Sequence, residues 1–547
     1  MNTNNSEQEK PETELNDQGE SVDNREIPKV NEDILTSEEL PREAVVESSD
    51  PYQIFFQHQL SQSPDSYLYD LLYKCGNKLF RDSQKKTYAV LPDKNSVKIF
   101  EIESAAFMSY VTFDYFNQMG TAIKKQYLKQ IIGLVDSLAR QKGEIINLEI
   151  RCNWDEGSIV YDLHDEDHHV VRINSNGWKV ELCQKPLFKS YPHQLPQRSP
   201  VEGGTLDDFL NLLNVAPEDR LVFKVFIVSL FIPGFPHPIL KIEGEKGAAK
   251  STATRLLKSL VDPSVIGLLS FPRESREIVQ QLDHHYFIGY DNLSGVPRWA
   301  SDALCRAVSG DGYSCRKLHT SDEDIIRSFK RCLSINGIDL GALPEDLLDR
   351  CLIINFKRIS EENRKTDKEI HERFNAILPG VLHEIFCLIS SSMNIYPSVS
   401  LTRIFRLADF TSWGYAIAQA INGQNGGEHF ITDYQKMVRG QEAVSYDDNV
   451  LLASLAFFGE TKTEWEGSPL QLYTLLQTIV SKQRLDQSHA SWPKAPNYLM
   501  RRLNAYQSLL QSKGIKIEYI GRTATLRRVK FSKLQQPSSS GTVTVET

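Results

Sequence analysis

The sequence has no CxxC pair among its eight cysteines, no aromatic residue in its first fifty positions and no uninterrupted apolar run near the roughly 20 residues that a membrane-spanning helix requires. Scattered cysteines exclude a zinc ribbon and argue against a disulfide framework, so reduced, mostly buried thiols are expected. The longest apolar run, Leu221 to Phe235, is broken by Lys224 and Pro233 and reads as a buried helix. The N-terminus MNTNNSEQEK lacks the basic start and apolar segment of a secretion signal, which makes the cytoplasm the expected compartment, without membrane association. Lacking aromatics and rich in Glu, Asn and Ser, residues 1–50 cannot bury enough surface to offset the entropy of ordering, and they read as a disordered acidic tail.

Basic charge is also short overall, with 62 Lys and Arg against 71 Asp and Glu and a net charge of −9. Evenly spread, that balance would speak against a nucleic-acid partner. The first fifty residues hold fifteen acids and four bases, however, so the remainder carries +2; Lys482 to Lys533 hold twelve bases and two acids. The chain is acidic at its head and basic near its tail.

A chain of 547 residues is too long for one core and implies about two to four domains. Residues 51–200 read as an α+β N-terminal domain: SVKIFEI, INLEIRC, GSIVYDL and HVVRINSNGWKVELC have strand patterns, with a helix over 124–142. KSYPHQLPQRSPVEGG reads as a linker. Over 205–360 strands alternate with helices, the pattern of an α/β core with a parallel sheet. Residues 361–460 read as a helical segment. Residues 465–534 run helix, helix, then two strands around Gly521, a winged-helix pattern, and 535–547 form a second disordered tail.

The segment PILKIEGEKGAAKSTATRLLKSL carries the strongest signal: an apolar strand, a Gly-rich turn, then a helix. Such a turn curls its backbone so that N–H groups face phosphate oxygens at a helix N-terminus. Gly244, Glu245, Lys246, Gly247, Ala248, Ala249, Lys250, Ser251 and Thr252 would cradle ATP, with Lys250 on the β- and γ-phosphates and Ser251 a ligand to Mg²⁺. Ala249 stands where Gly is usual, and its methyl is tolerable if φ stays negative. About forty residues on, HYFIGYDNLSG ends a strand in Asp291, whose carboxylate would be a second group holding Mg²⁺. Asn292 follows it, where many such enzymes have a glutamate; an amide cannot take a proton but can position water. RCLSING ends a third strand in Asn336, placed to polarise the attacking water, and Arg350 begins a fourth. Arg350 reads either as an ion-pair partner of Asp346 or Asp349 or as an arginine finger toward a neighbouring subunit.

This order of motifs resembles the superfamily III helicases, AAA+-type ATPases of viruses, phages and plasmids, and more closely the primase- or helicase-associated ATP-binding proteins of phages and mobile elements. The likeness is strongest over residues 206–401. It implies a ring, by analogy a hexamer, with ATP between subunits, and a hairpin within SGDGYSCRKLHTSDED that grips DNA phosphates through Arg316, Lys317 and His319. In the basic C-terminal segment, Leu499, Leu503, Tyr506 and Leu510 share one helical stripe, and Arg501, Arg502, Arg522, Arg527 and Arg528 would meet phosphates.

YDLHDEDHH packs four acids and three histidines into nine residues but sits between two strand patterns, so it reads as an acidic hairpin tip without primase chemistry. The N-terminal domain would instead dock a primase or initiator. The combined reading is an ATP-dependent helicase or translocase acting on DNA during mobile-element replication. The alternative is an ATP-gated DNA-binding protein with weak hydrolysis, for which Asn292 is the best support. A metabolic kinase fits the basic tail poorly.

Overall fold

The structure is a computed structural model, and it describes residues 66–533 apart from 76–77, 94–95, 317–323, 328–329, 338–342, 402–403, 448, 488–491, 513 and 523–526. The tails expected at 1–50 and 535–547 lie outside these residues.

A small N-terminal unit holds α1 (Ser66–Cys75), β1 (Leu79–Arg81), β2 (Thr87–Asp93), β3 (Ser96–Glu101), α2 (Ala105–Met119), α3 (Lys125–Lys142) and β4 (Glu144–Ile145). Its sheet runs β3-β2-β1-β4, around a core of Phe80, Tyr88, Val90 and Leu148. Helix α3 buries Ile131, Val135 and Ala139, four residues apart and therefore on one face.

The second sheet is a meander of β5 (Cys152–Asp155), β6 (Ser158–Asp162), β7 (His169–Asn174) and β8 (Gly177–Leu182), in sequential order. INLEIRC is thus not one strand; the ladder of β4 ends at Ile145, Glu149 makes an isolated bridge to Phe188, and the next strand begins at Cys152. The meander does not belong with the N-terminal unit. Ile159, Tyr161, Val171 and Ile173 share one buried cluster with the α/β core. The Tyr161 ring lies 5.2 Å from Phe231 and 5.7 Å from Phe386, and its hydroxyl donates to Val261 O. The change of packing therefore falls near residue 150, whereas the sequence pattern places a boundary at 200. The supposed linker is bound along its length: Leu195 N donates to Pro263 O, the Gln197 amide donates to Leu260 O at 2.8 Å, and Gly204 lies so close to Gly380 that a Cβ on Gly380 would stand 2.3 Å from Gly204 N.

The core contains α4 (Leu206–Leu210), α5 (Arg220–Ser229), β9 (Ile239–Glu243), α6 (Lys250–Val261), α7 (Ser275–His284), β10 (Phe287–Leu293), α8 (Arg298–Ser309), the hairpin β11 (Tyr313–Arg316) and β12 (Asp324–Arg327), β13 (Cys332–Gly337), α9 (Glu345–Leu348) and β14 (Cys351–Asn355). Its sheet is wholly parallel in the order β10-β13-β9-β14, the α/β architecture read from the alternating pattern. Near-continuous apolar strands such as β13, with Cys332 to Asn336 buried, are what a sheet covered on both faces requires.

Three helices follow: α10 (Asp367–Ile395), α11 (Ala408–Asn422) and α12 (Gly426–Asp447). Helix α10 has the length and composition to cross a membrane, yet Phe374, Leu378, Leu382, Ile385, Phe386 and Ile389 are buried in the core cluster, so it is a core helix.

The C-terminal unit comprises α13 (Val450–Thr461), β15 (Glu464–Gly467), α14 (Pro469–Lys482), α15 (Pro496–Ala505), α16 (Gln507–Ser512), β16 (Ile515–Arg522) and β17 (Arg527–Lys533), with sheet order β15-β17-β16. Its separate cluster already includes Val450, Leu451, Leu455 and Phe458, so α13 packs here and not only with the helices before it. Leu499, Leu503 and Leu510 are buried as their stripe predicts, although the helix breaks at Tyr506.

Candidate functional site: a phosphate loop at the C-terminal edge of a parallel sheet

Strand β9 ends at Glu243 and the chain turns through Gly244–Ala249 into α6. Gly244 has φ 150°, and a Cβ there would stand 2.4 Å from Phe356 O, so this position admits only glycine. Ala249 is the N-cap of α6 with φ 59° and ψ 33°. That is the left-handed region, contrary to the negative φ expected, and it explains why glycine is usual here: a Cβ in this conformation costs about 1–2 kcal/mol. Ala249→Gly is therefore expected to stabilise the chain by about 1 kcal/mol, raising Tm by roughly 2–4 °C; a calorimetric scan showing an unchanged or lower Tm contradicts this.

The Lys250 amine folds back on its own loop, donating to Gly244 O (2.6 Å) and Glu245 O (3.3 Å). Both acceptors belong to the turn itself, so the amine lies over the loop. Ser251 and Thr252 sit half-buried in the first turn of α6.

Because β10, β13 and β9 are parallel, their C-terminal ends share one edge of the sheet. Asp291 stands near the end of β10, half-buried, with its Oδ1 accepting from Asn292 N at 2.9 Å. Asn292 has φ 55° and lies where the β10 register with β13 shifts. Asparagine is among the few residues that adopt this conformation readily, a local reason for its presence beside its chemistry.

Asn336, at the end of β13, is buried, and its amide donates to Thr254 Oγ1 at 3.0 Å. Thr254 Oγ1 in turn donates to Lys250 O at 3.2 Å. Helix α6 can sit this close to the sheet because Gly289 in β10 has no side chain; a Cβ there would stand 2.4 Å from Thr254 Cγ2. Thr254 and Gly289 were not singled out from sequence, although a glycine inside a strand pattern is a signal of close approach. The structure thus brings Gly244, Glu245, Lys246, Gly247, Ala248, Ala249, Lys250, Ser251, Thr252, Asp291, Asn292 and Asn336 to one edge.

Arg350 is at the other edge. Ile239 N, at the start of β9, donates to Arg350 O, so the length of the strand, roughly 16 Å, separates Arg350 from its own loop. Its guanidinium donates to Asp346 Oδ1 at 2.6 Å, and Arg406 bridges Asp346 (2.6 Å) and Asp349 (3.0 Å). Burial pushes the Asp346 carboxyl up, but Arg350 and Arg406 outweigh it and hold it below the usual carboxylate range. Within one subunit Arg350 is an ion-pair partner of Asp346, the first of its two sequence readings.

Strands β11 and β12 form the expected two-stranded hairpin, with Arg316 opposite Asp324 in register. Lys317 and His319 lie outside the described residues. On the C-terminal unit, Arg501 is exposed and Arg502 half-buried on α15, and Arg522 stands opposite Arg527 in register. Arg528 pairs with Glu466 at 3.3 Å, and Lys530 with Glu464 at 3.5 Å. Strand β15 therefore lays two acids beside residues read as a purely basic face, a neighbour that lies far upstream in sequence. At the acidic hairpin tip joining β6 and β7, His169 pairs with Asp165 at 2.7 Å.

Comparison with curated proteins gives no match. Among solved structures, the apo C-terminal region (305-718) of NrS-1 is similar at 12% identity over 84% of this chain and 98% of that one, with a TM-score of 0.38. The SCCmec type IV Cch, described as an active helicase, is similar at 11% identity over 83% and 92%, with a TM-score of 0.42. These are likenesses of outline only. The sequence-family comparison is firmer: the model for the actinomycete integrative conjugative element replication protein matches residues 206–425, and that for the AICE RepA C-terminal domain matches 451–542. The first spans the phosphate loop, Asp291, Asn336 and Arg350, the second the basic C-terminal unit. Together they cover more than half of the chain, which belongs to the family of actinomycete integrative conjugative element replication proteins.

Proposed function

We propose that the chain is an ATPase that moves along or unwinds DNA during replication of a mobile element, working in the cytoplasm as a ring of identical subunits, by analogy a hexamer. The observation that carries this reading is the shared edge: the phosphate loop, Asp291 and Asn336 stand at the C-terminal ends of three parallel strands, the usual place for a ligand in an open α/β sheet. Residues 244–252 would hold the phosphates of ATP and Lys250 the terminal one. The hydroxyl of Ser251 and the carboxylate of Asp291 are the hard oxygen donors that Mg²⁺ prefers, and the ion would supply charge neutralisation at the phosphates. Asn336 is fixed by Thr254 close to this edge and would orient water, with Asn292 beside it. Arg350 cannot serve its own loop and would act on a neighbour's; its release from Asp346 would be part of ring assembly.

DNA would be held by Arg316, Lys317 and His319 on the hairpin and by Arg501, Arg502, Arg522, Arg527 and Arg528 on the winged-helix-like C-terminal unit. The N-terminal unit would dock a primase or initiator. The side-chain amide of Asn292, which cannot take a proton, favours one second reading, an ATP-gated DNA-binding protein that hydrolyses slowly. Steady-state ATPase assays with and without single-stranded DNA, run beside a molar-mass measurement, separate the two. Stimulation of at least about tenfold together with an assembly larger than a dimer is expected; DNA binding with no stimulated turnover supports the gated protein.

A further inference from the structure

Strands β9 and β14 run parallel in register to their ends, Glu243 opposite Asn355, so the chain leaving β14 lies alongside the phosphate loop. Phe356 N donates to Glu243 O at 2.8 Å, and Ile359 N reaches Gly247 O at 3.5 Å. Phe356 O occupies the space beside Gly244 that any side chain there would need. Arg358 pairs with Glu245 at 3.7 Å. A single turn of 3-10 helix, Glu361–Asn363, then brings Arg364 back over the loop, with its Nη2 3.5 Å from the position a Cβ on Gly247 would take. The Arg364 side chain is exposed, and among the described residues its guanidinium makes no hydrogen bond or ion pair. A cation stationed without a counter-charge against a glycine-rich turn is poised for an anion, and a guanidinium presents paired donors that match phosphate geometry.

We propose that Arg364 is a phosphate-positioning residue that acts within its own subunit, with Phe356–Arg364 forming a second wall of the nucleotide site opposite α6. This rests on the ATP reading above and adds to it a charge whose origin differs from Arg350: it belongs to the same chain as the loop and needs no neighbour.

The test is titration of fluorescent ATP and ADP analogues, with Mg²⁺, into the full-length wild-type protein and its R364A, R364K and K250A variants, with apo Tm recorded for each. R364A is expected to weaken binding of the triphosphate about tenfold, to weaken the diphosphate less, and to leave apo Tm unchanged. R364K should recover part of the loss, because charge is kept while the fork is not. Wild-type binding by R364A overturns the proposal and leaves the ATP site standing. Absence of binding by the wild type, or equal binding by K250A, overturns the ATP site and the proposal with it.

Discussion

Lys250→Ala is expected to lower nucleotide turnover by at least roughly 10²-fold, the loss typical when a positioned charge is removed from a developing transition state. The variant should remain folded, because among the described residues the amine's hydrogen bonds go to Gly244 O and Glu245 O of a solvent-facing loop. Binding itself gives a second readout. A ligand at about a hundred times its Kd stabilises the folded state by about 2.7 kcal/mol, so saturating ATP with Mg²⁺ should raise the wild-type Tm while leaving that of K250A nearly unmoved. Full turnover in K250A would remove the assignment of the loop.

The largest expected effect on stability is far from that loop. Arg151, fully buried with φ 61°, donates to Asp262 Oδ1 at 3.0 Å and to the carbonyls of Leu195 (2.6 Å) and Pro263 (2.8 Å). Lys258 Nζ donates to the second Asp262 oxygen at 2.6 Å and to Phe287 O at 2.7 Å. The triad joins the meander, the draped 189–204 segment, the end of α6 and the start of β10. Removing one member of a buried ionic network strands the others, so Arg151→Met should cost about 3–5 kcal/mol, read as a shift in urea midpoint without a change of slope. A loss below about 1 kcal/mol would show that the triad is not structurally coupled.

Acid titration adds a signature. Burial pushes the Asp262 carboxyl up, but Lys258 and Arg151 overcome it and hold it well below the usual carboxylate range. The stability it contributes is complete above about pH 4 and is lost as pH falls below that. In R151M this acid-side loss should be shallower. An earlier loss is shared by both proteins: burial, reinforced at His285 by Lys258, lowers His285 to about 3, and burial lowers His237 to about 4. Each stays neutral while its unfolded counterpart protonates below about pH 6.5, costing about 1.4 kcal/mol per pH unit and group.

What could be read from sequence was whatever backbone geometry ties to residue identity at short range. Gly244 and Gly247 with Lys250 and Ser251 marked the phosphate loop because few other residues allow that turn, and apolar strands ending in Asp291 and Asn336 marked its neighbours. What could not be read was set by partners distant in the chain. Pro and Gly in KSYPHQLPQRSPVEGG punctuate equally for a loose linker and for a strap held by Pro263 and Gly380. Glu464 and Glu466 meet Arg528 and Lys530 only after β15 joins the sheet. Ala249 hid its left-handed conformation, since alanine rarely adopts it, and Arg364 belongs to no motif.

The meander bears on how the chain is taken apart. Cutting at residue 200, where punctuation invites it, would strip Tyr161, Val171 and Ile173 from Phe231 and Phe386 and leave Asp262 with half its counter-charge. Such a fragment would present a greasy, sticky flank and precipitate. A piece that starts near residue 145 keeps that flank covered and leaves Asp262 both of its counter-charges.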